Sequence, residues 1–258
     1  MASRYKFEIA TQASVITECQ RLRYQVFALE MGASLESAAE QIDSDSYDPF
    51  CRHLTVSDTV TGGIVACTRV LSDEDVPQAG GFYTQLEFKL GRLRSLPGKK
   101  LEVGRTCVHP DHRNGGAITC LWLGLAEFML SRGYEYLFGC ASVDMSDGGH
   151  QAHAIYQNAL ERGLVNLDLD VHPRSPLPKP DQPTVDASIE LSDSVREILP
   201  PLLKAYLNLG AEICGKPCWD KKFNVADMLV LVNRTNIAPR YVRRFLKAVQ
   251  TPETTYRA

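Results

Sequence analysis

The first hydrophobic stripe of the chain has the spacing of an α-helix. Between residues 13 and 31, apolar side chains recur at intervals of four and three, which places them on one helical face. The stripe consists of Val15, Cys19, Leu22, Val26 and Leu29. We predict a helix over residues 13–31 that ends at Gly32, after a strand over residues 5–10.

Later apolar runs alternate between strand and helix patterns. Predicted strands cover residues 53–57, 64–71, 100–108, 136–143 and 225–232, with a hairpin turn at residues 61–63. Predicted helices cover residues 82–90, 116–132, 151–162, 199–213 and 239–249. Residues 33–49 and 73–81 are predicted to be loops. This order of elements predicts an α/β fold with a mixed sheet.

A proline-rich stretch separates the last third of the chain from the rest. Five prolines lie between residues 172 and 183, a density that no helix or central strand tolerates. We therefore predict a core over residues 1–171 and an exposed excursion over residues 172–198. Residues 199–258 are predicted to form a helix-strand-helix segment that completes the same domain.

Composition excludes several classes of protein. The 258 residues are 44% hydrophobic and carry a formal net charge of −3, which provides a core but no basic field for nucleic acid. The eight cysteines have the spacing of neither a zinc site nor a disulfide framework, and Cys214 and Cys218 lack a second ligand pair, so no metal is expected. The chain has no signal-peptide pattern and no apolar run of about 18 residues, which favours a cytoplasmic protein.

The most informative segment is a strand, a basic glycine-containing turn and a helix in immediate succession. Backbone N–H groups at a helix N-terminus attract anions, so the turn is a candidate phosphate cradle. Its members are Val108, Arg113, Asn114, Gly115, Gly116 and Ala117. Neither G-x-x-x-x-G-K-[ST] nor G-x-G-x-x-G occurs, so the two common nucleotide-binding motifs are absent from the sequence.

Gly104 is a natural bulge position in the strand that carries Glu102 and Arg105. In a regular strand these two side chains would face opposite sides of the sheet, whereas a bulge brings both to one side and splays the strand from its neighbour. A splayed pair leaves a slot that a linear carrier can enter as an additional strand. Arg69 lies in another apolar strand and needs a partner, which the acidic loop or Glu102 could supply.

Other polar residues allow a structural or a functional interpretation. One face of the first helix, made by Arg23, Phe27 and Glu30, forms either surface contacts or part of a site. The acidic loop contains Asp43, Asp45 and Asp48. Such a group is either turn chemistry or a site for a cationic substrate. Tyr156 is either a core aromatic or a proton donor to a leaving group.

These motifs together resemble the GNAT acyltransferase superfamily. The similar branch contains acyl-homoserine-lactone synthases, N-acyl amino acid synthases and ornithine N-acyltransferases, and the resemblance extends over residues 5–248. It depends on residues 22–27, 43–48, 69, 101–105 and 113–116, while residues 137–142 and 201–207 are most similar to the ornithine (haemolysin-like) subgroup. The implied fold is a GNAT-like mixed sheet, splayed at its centre and flanked by helices, with a C-terminal elaboration.

The resemblance implies transfer of a long-chain (3-hydroxy)acyl group from acyl carrier protein to the α-amine of an amino acid. With ornithine as acceptor the product is a lyso-ornithine lipid. No permanently bound cofactor is implied, and the phosphopantetheine arm of the donor is shared by coenzyme A. Glu102 is implied as the base, with Arg69 and Arg105 orienting it and pairing with the substrate carboxylate. The implied substrate-binding residues are Arg23, Phe27, Asp43, Asp45, Asp48, Cys140 and Ser142.

Several alternatives fit the same sequence. The acceptor could be glycine, glutamine or tyrosine, and the protein could instead be a CoA-dependent small-amine acetyltransferase or a non-catalytic acyl-carrier or lipid-sensing module. Glu30-Met31-Gly32 stands where lactone synthases have Trp, which argues against S-adenosylmethionine as the amine. Candidate carrier-protein contacts are Arg92, Arg94, Lys99, Lys100 and Arg113. The basic helix at 239–249 is predicted either to touch the inner membrane face or to cap the core.

Overall fold

The computed structural model describes residues 3–179 and 199–237, and a large mixed sheet forms its centre. The strands of these residues are β1 (Tyr5–Ala10), β2 (Arg52–Asp58), β3 (Ile64–Ser72), β4 (Phe88–Lys89), β5 (Lys99–Val108), β6 (Tyr134–Asp144), β7 (Val165–Asn166), β8 (His172–Pro173), β9 (Glu212–Cys214), β10 (Cys218–Asp220) and β11 (Val225–Asn233). The sheet order is β1-β2-β3-β5-β6-β11-β9-β7, with β10 beside β11. The β5–β6 and β7–β9 pairs are parallel and the others antiparallel, which confirms the α/β fold with a mixed sheet.

Helices flank this sheet and agree well with the apolar spacing. They are α1 (Ala13–Tyr24), α2 (Val76–Ala79), α3 (Gly116–Ser131), α4 (His150–Glu161) and α5 (Pro201–Leu209). A π-helical turn, Gln25–Glu30, continues α1, so the predicted helix over residues 13–31 is confirmed with a wider last turn. None of the helices in the described ranges is both long and apolar enough to cross a membrane.

The centre of the sheet is splayed, as the position of Gly104 predicts. The parallel β5–β6 pairing runs only as far as Glu102 opposite Phe138, and beyond Glu102 the described pairing of β5 is with β3. The register of β3 against β5 shifts between Cys67 and Arg69, opposite the predicted bulge. The left-handed conformation falls on Arg105, with φ of 51°, rather than on Gly104. Such a φ is uncommon for a residue other than glycine, so neighbouring contacts must hold Arg105 in place.

Residues 199–237 belong to the same sheet as the N-terminal part. Nine residue pairs join β11 to β6, from Val225 opposite Asp144 to Asn233 opposite Tyr136. The predicted helix over residues 199–213 was too long. The observed helix, α5, ends before Gly210, whose φ of 101° suits a helix C-terminus, and the chain then enters β9.

The region before β5 also differs from its prediction. Instead of a helix over residues 82–90, the chain forms a 3₁₀ turn, Tyr83–Leu86, and then β4. This short strand pairs with β8, at the start of the proline-rich excursion. The rest of that excursion, residues 180–198, and the predicted helix at 239–249 lie outside the described residues.

Candidate active site

Two cavities meet where β5 and β6 diverge. The polar cavity, of about 120 Å³, is lined by Glu102, Arg69 and Arg105 among others. The apolar cavity, of about 680 Å³, lies between the π-helical turn, α3 and α5. Both are lined by Phe27, Met31, Thr106, Ser142 and Leu202. A small charged chamber therefore lies directly beside a larger hydrophobic one, and the two share part of their lining.

Behind the polar cavity lies a buried group of three arginines and three aspartates, which we call the aspartate–arginine cluster. Its members are Arg23, Arg69, Arg105, Asp43, Asp45 and Asp48. Arg23 donates from Nε to Asp43 over 2.9 Å and from Nη1 and Nη2 to Asp48 over 2.8 and 2.9 Å. Although burial opposes the charged form, these hydrogen bonds lower the pKa of Asp48 to about 2.

The other two arginines complete the cluster and face the cavity. Arg69 donates two hydrogen bonds to Asp45, over 2.6 and 2.8 Å, and lies 3.3 Å from Asp48. Arg105 contacts Asp43 over 3.0 Å and Asp45 over 3.4 Å. Equal numbers of opposite charges are thus paired. Arg69 and Arg105 line the polar cavity whereas none of the three aspartates does, so these two arginines stand between the aspartates and the cavity.

This pairing changes the expectation for the acidic loop. Asp43, Asp45 and Asp48 do lie close together, as a site for a cationic substrate would require. Their carboxylates, however, already bind the guanidinium groups of the protein's own arginines. Arg23, expected beside the substrate, is 1% exposed and serves the cluster. The sequence suggested that Arg69 would pair with the acidic loop or with Glu102, and the structure selects the loop.

Glu102 is held by backbone groups rather than by arginine. The N–H groups of Tyr83 and Thr84 each donate to one of its carboxylate oxygens over 2.7 Å. Burial raises the pKa of Glu102, against the effect of the Thr84 hydroxyl, of these two backbone hydrogen bonds and of the positive Arg69. Arg69 and Arg105 were expected to orient Glu102, but their hydrogen bonds go to the aspartates and, from Arg105, to the Tyr83 hydroxyl over 3.2 Å.

A second pair of carboxylates, Glu87 and Asp227, lines the polar cavity, and our sequence analysis missed both. Glu87 accepts a hydrogen bond from the Cys140 thiol over 3.5 Å, and Asp227 accepts one from the Ser142 hydroxyl over 2.6 Å. Burial raises the pKa of both carboxyl groups, and the nearby Asp220 adds to the effect. Repulsion from Asp227 raises the pKa of Glu87 further, whereas the hydrogen bonds of Asp227 to Ser142 and Glu87 oppose the rise in its own pKa. We call Glu87 and Asp227 the acid pair.

One signal for Asp227 was present in the sequence. It is the single charged residue in the apolar run 225–232, and a charge in a buried strand needs a reason. Glu87 gives no such signal, because it lies in a polar turn. The acid pair and Cys140 place three potential ligand atoms within 4.8 Å of one another, whereas a zinc site typically has four ligands.

Cys140 and Ser142, which the resemblance implied as substrate-binding residues, line the polar cavity and donate hydrogen bonds to the acid pair. Burial raises the pKa of the Cys140 thiol well above its usual value, which makes it a poor nucleophile. Tyr156 is not brought to the site. It is buried in the hydrophobic core on the inner face of α4, because that face packs on the sheet, and it lines neither cavity.

The turn that was predicted to be a phosphate cradle lies at the start of α3, beside the apolar cavity. Arg113 donates to the Val108 carbonyl over 3.1 Å and pairs with Glu30 over 2.5 and 2.7 Å. Asn114 accepts a hydrogen bond from the Gly116 N–H over 3.2 Å, and Gly115 precedes the helix with φ of 93°. Arg113 is half-exposed and already paired with Glu30, so an anion that binds Arg113 would have to displace the Glu30 carboxylate. Ala117, which was also assigned to the cradle, is fully buried.

The basic residues assigned to carrier-protein binding do not form one patch. Lys99 begins β5 and pairs with Glu74, while Arg113 touches Val108 at the far end of the same strand. Ten residues of strand span about 30 Å, so these two ends cannot flank one cavity mouth. Lys100 is buried and donates to the Gly98 carbonyl. Of the predicted set, Arg113 alone lines the apolar cavity.

Comparison with known proteins identifies the class first. A family model described as the Acetyltransferase (GNAT) domain matches residues 22–123. The fold is similar to FeeM, an N-acyl amino acid synthase from uncultured soil microbes, with a TM-score of 0.51 and 10% identity over 93% of this chain and 99% of that one. It is also similar to BjaI, a CoA-dependent acyl-homoserine lactone synthase, with a TM-score of 0.52 and 15% identity over 95% and 89%. The protein is an acyltransferase with a GNAT fold.

Sequence relatives then narrow the family. An L-ornithine N(alpha)-acyltransferase of Rhizobium meliloti (strain 1021) is 32% identical over 92% of this chain and 82% of that protein. One of Rhodobacter capsulatus is 29% identical over 95% of this chain and 96% of that protein. A third, from Brucella abortus (strain 2308), is 32% identical over 91% and 86%. The chain belongs to the L-ornithine Nα-acyltransferase family.

Proposed function

We propose that this protein transfers a long-chain (3-hydroxy)acyl group from acyl carrier protein to the α-amine of ornithine, giving a lyso-ornithine lipid. The observation that carries the proposal is the junction of a charged chamber containing Glu102 with an apolar cavity of about 680 Å³. The polar chamber suits an amino acid, and the apolar cavity suits the acyl chain and pantetheine arm of the donor. The names of the relatives supply ornithine as the acceptor.

Glu102 is the proposed base. An α-ammonium group must lose a proton before it attacks a thioester, and a buried carboxylate with a raised pKa is suited to take that proton. The two backbone hydrogen bonds fix the carboxylate in the cavity, so its position does not depend on the substrate. As the nitrogen–carbon bond forms and the carbon–sulfur bond breaks, the pantetheine thiolate leaves and takes the proton held by Glu102. Glu102 then accepts the second proton, which the nitrogen loses as it becomes an amide, and releases it to solvent.

The remaining residues bind and stabilise. Arg69 and Arg105 line the cavity and provide positive charge for the α-carboxylate of the substrate. Backbone N–H groups of β5 beyond Glu102, where β6 has separated, are proposed to stabilise the thioester oxyanion. Val108 and the cradle of Arg113, Asn114 and Gly115–Ala117 are proposed to bind the donor phosphate, after Arg113 leaves Glu30.

Products from a defined mixture test the proposal. The purified protein is incubated with long-chain 3-hydroxyacyl carrier protein, then separately with the corresponding acyl-CoA and with acetyl-CoA, each with a mixture of amino acids, and products are identified by mass spectrometry. A single N-acylornithine from the carrier-protein donor supports it. Acylated glycine, glutamine or tyrosine would contradict the acceptor, and activity with acetyl-CoA alone would contradict the donor.

The Glu102→Gln variant tests the base. We expect kcat to fall by about 10²- to 10⁴-fold, because the carboxamide keeps the shape but cannot take the proton. The control is Glu8→Gln, which changes an exposed carboxylate paired with Lys6. Circular dichroism and an unfolding curve establish that both variants fold. Wild-type turnover in Glu102→Gln would rule out this assignment.

A further inference from the structure

The acid pair differs from the aspartate–arginine cluster, because neither of its carboxylates forms an ion pair with lysine or arginine in the part of the chain that the structure describes. Within residues 3–179 and 199–237, the hydrogen bonds of Glu87 and Asp227 come from the Cys140 thiol, the Ser142 hydroxyl and the other member of the pair. Asp220 adds negative charge nearby, and Arg105 acts on Asp227 only through its more distant field. Two buried carboxylates in contact cannot both be ionised without a counter-charge, so without a bound cation the two share a proton.

A second polar group in the same cavity is incompletely satisfied. The Thr84 hydroxyl is buried, with the residue only 2% exposed, and it makes no hydrogen bond of full geometry within the described part of the chain, although it lies close enough to the Glu102 carboxylate to lower the pKa of that group. The backbone carbonyl of Thr84 accepts a hydrogen bond from the Glu87 N–H, so Thr84 lies next to the acid pair. Thr84 also lines the same chamber. A buried hydroxyl without a full hydrogen bond is costly, and a bound polar group would satisfy it.

The strand register indicates how far along the sheet the acid pair lies from Glu102. Glu102 lies opposite Phe138 in the β5–β6 pairing, and Cys140, which contacts Glu87, is two residues further along β6. Two residues of strand span about 6.6 Å, which is comparable with the separation of the two amines of ornithine across its three methylene groups. A substrate whose α-amine is at Glu102 can therefore reach the acid pair with its side-chain amine.

We propose that Glu87 and Asp227 bind the side-chain ammonium of ornithine and so select a diamino acid over an uncharged one. This inference rests on the proposed function, because it takes ornithine as the acceptor. Asp227 is held by Ser142 and Glu87 by Cys140, which leaves the second oxygen of each carboxylate for the ammonium. The binding ammonium replaces the shared proton as the counter-charge, and the proton leaves to solvent.

Substitution of each carboxylate tests the assignment through specificity. The variants Glu87→Gln and Asp227→Asn are compared with wild type for acylation of ornithine and of norvaline, which has the same length but no terminal amine. We expect the ratio of kcat/KM for ornithine over norvaline to fall by about 10- to 100-fold, mainly through KM, since a charged hydrogen bond is lost. Glu74→Gln, at an exposed pair with Lys99, is the matched control.

The outcomes separate this inference from the proposed function. If wild type acylates ornithine and both variants keep its preference over norvaline, the acid pair has no role in specificity although the activity stands. If wild type acylates an uncharged amino acid better than ornithine, the activity and the inference both fail.

Calorimetry of the wild type provides a test that needs no variant. Binding is measured in two buffers of different ionisation enthalpy, with ornithine and with norvaline. We expect ornithine to release more protons than norvaline, because only ornithine displaces the proton of the acid pair. Equal proton release by the two ligands would overturn the inference, even if Glu87→Gln or Asp227→Asn failed to fold.

Discussion

Two groups of carboxylates lie around the same chamber, and they differ in whether their charge is neutralised. The aspartate–arginine cluster pairs three aspartates with three arginines behind the wall of the cavity. The acid pair has no basic partner within the described ranges and faces the cavity directly. The aspartate–arginine cluster holds a loop against the sheet, whereas the acid pair is suited to bind a positively charged group.

This difference shows why close spacing in sequence is a poor guide to a binding site. Asp43, Asp45 and Asp48 are near one another along the chain, and the loop that carries them must be fastened to α1 and β3. Glu87 and Asp227 are 140 positions apart, and only the folded sheet brings them together. Buried charges without a partner are costly, so a fold that retains them points to a ligand.

The largest expected effect comes from breaking the neutralised group. Arg23→Met leaves Asp43 and Asp48 buried with fewer partners, and we expect the free energy of unfolding to fall by about 3–5 kcal/mol. Urea unfolding monitored by circular dichroism measures this loss, with Lys6→Met at an exposed pair as the control. A loss no larger than that of the control would mean that the cluster does not hold the loop.

The acid pair should respond to pH in the opposite direction to the cluster. A carboxyl group whose pKa is raised in the folded state binds more protons than in the unfolded state, so stability is lost as pH rises through the raised pKa of Glu87. The lowered pKa of Asp48 has the reverse sign, and its contribution is lost as pH falls toward about 2.

Glu87→Gln should therefore flatten the decline of the stability profile with rising pH. We expect wild type to lose up to about 1.4 kcal/mol per pH unit between the ordinary pKa of a glutamate, about 4.5, and the pKa of Glu87, about 9, and the variant to lose less, because one proton-binding group is gone. Urea unfolding at a series of pH values, with Glu74→Gln as the control, measures both slopes. Parallel profiles for wild type and Glu87→Gln would show that Glu87 is ionised in the free protein.

The smallest effect on stability is expected at the exposed pair of Arg113 and Glu30. Because both side chains are about 40% exposed, Arg113→Gln should change the free energy of unfolding by no more than about 1 kcal/mol. The KM for the acyl donor distinguishes the role of Arg113 from that of Glu30. This KM should rise in Arg113→Gln and not in Glu30→Gln, since only the arginine is proposed to bind the phosphate. Equal KM values in both variants would remove Arg113 from the donor site.

The sequence predicted the centre of the fold better than its edges. The separation of β5 from β6 could be predicted from Gly104, because a β-bulge depends on the local sequence and a single glycine can indicate it. The end of α5 did not follow from apolar spacing, since the hydrophobic residues of β9 continue the pattern of the helix. Partners are harder still to predict. Arg69 clearly needed an acid, but its choice of Asp45 over Glu102 depends on how the loop closes across the sheet.

In the π-helical turn after α1, the number of residues matters to the site as well as their identity. This turn places Phe27 on both cavities and Glu30 beside Arg113. Each residue of an α-helix advances the direction of its side chain by about 100°, so removal of one residue between Tyr24 and Phe27 would turn both side chains away together. Deletions here should thus be far less tolerated than substitutions on the outer face of the same helix.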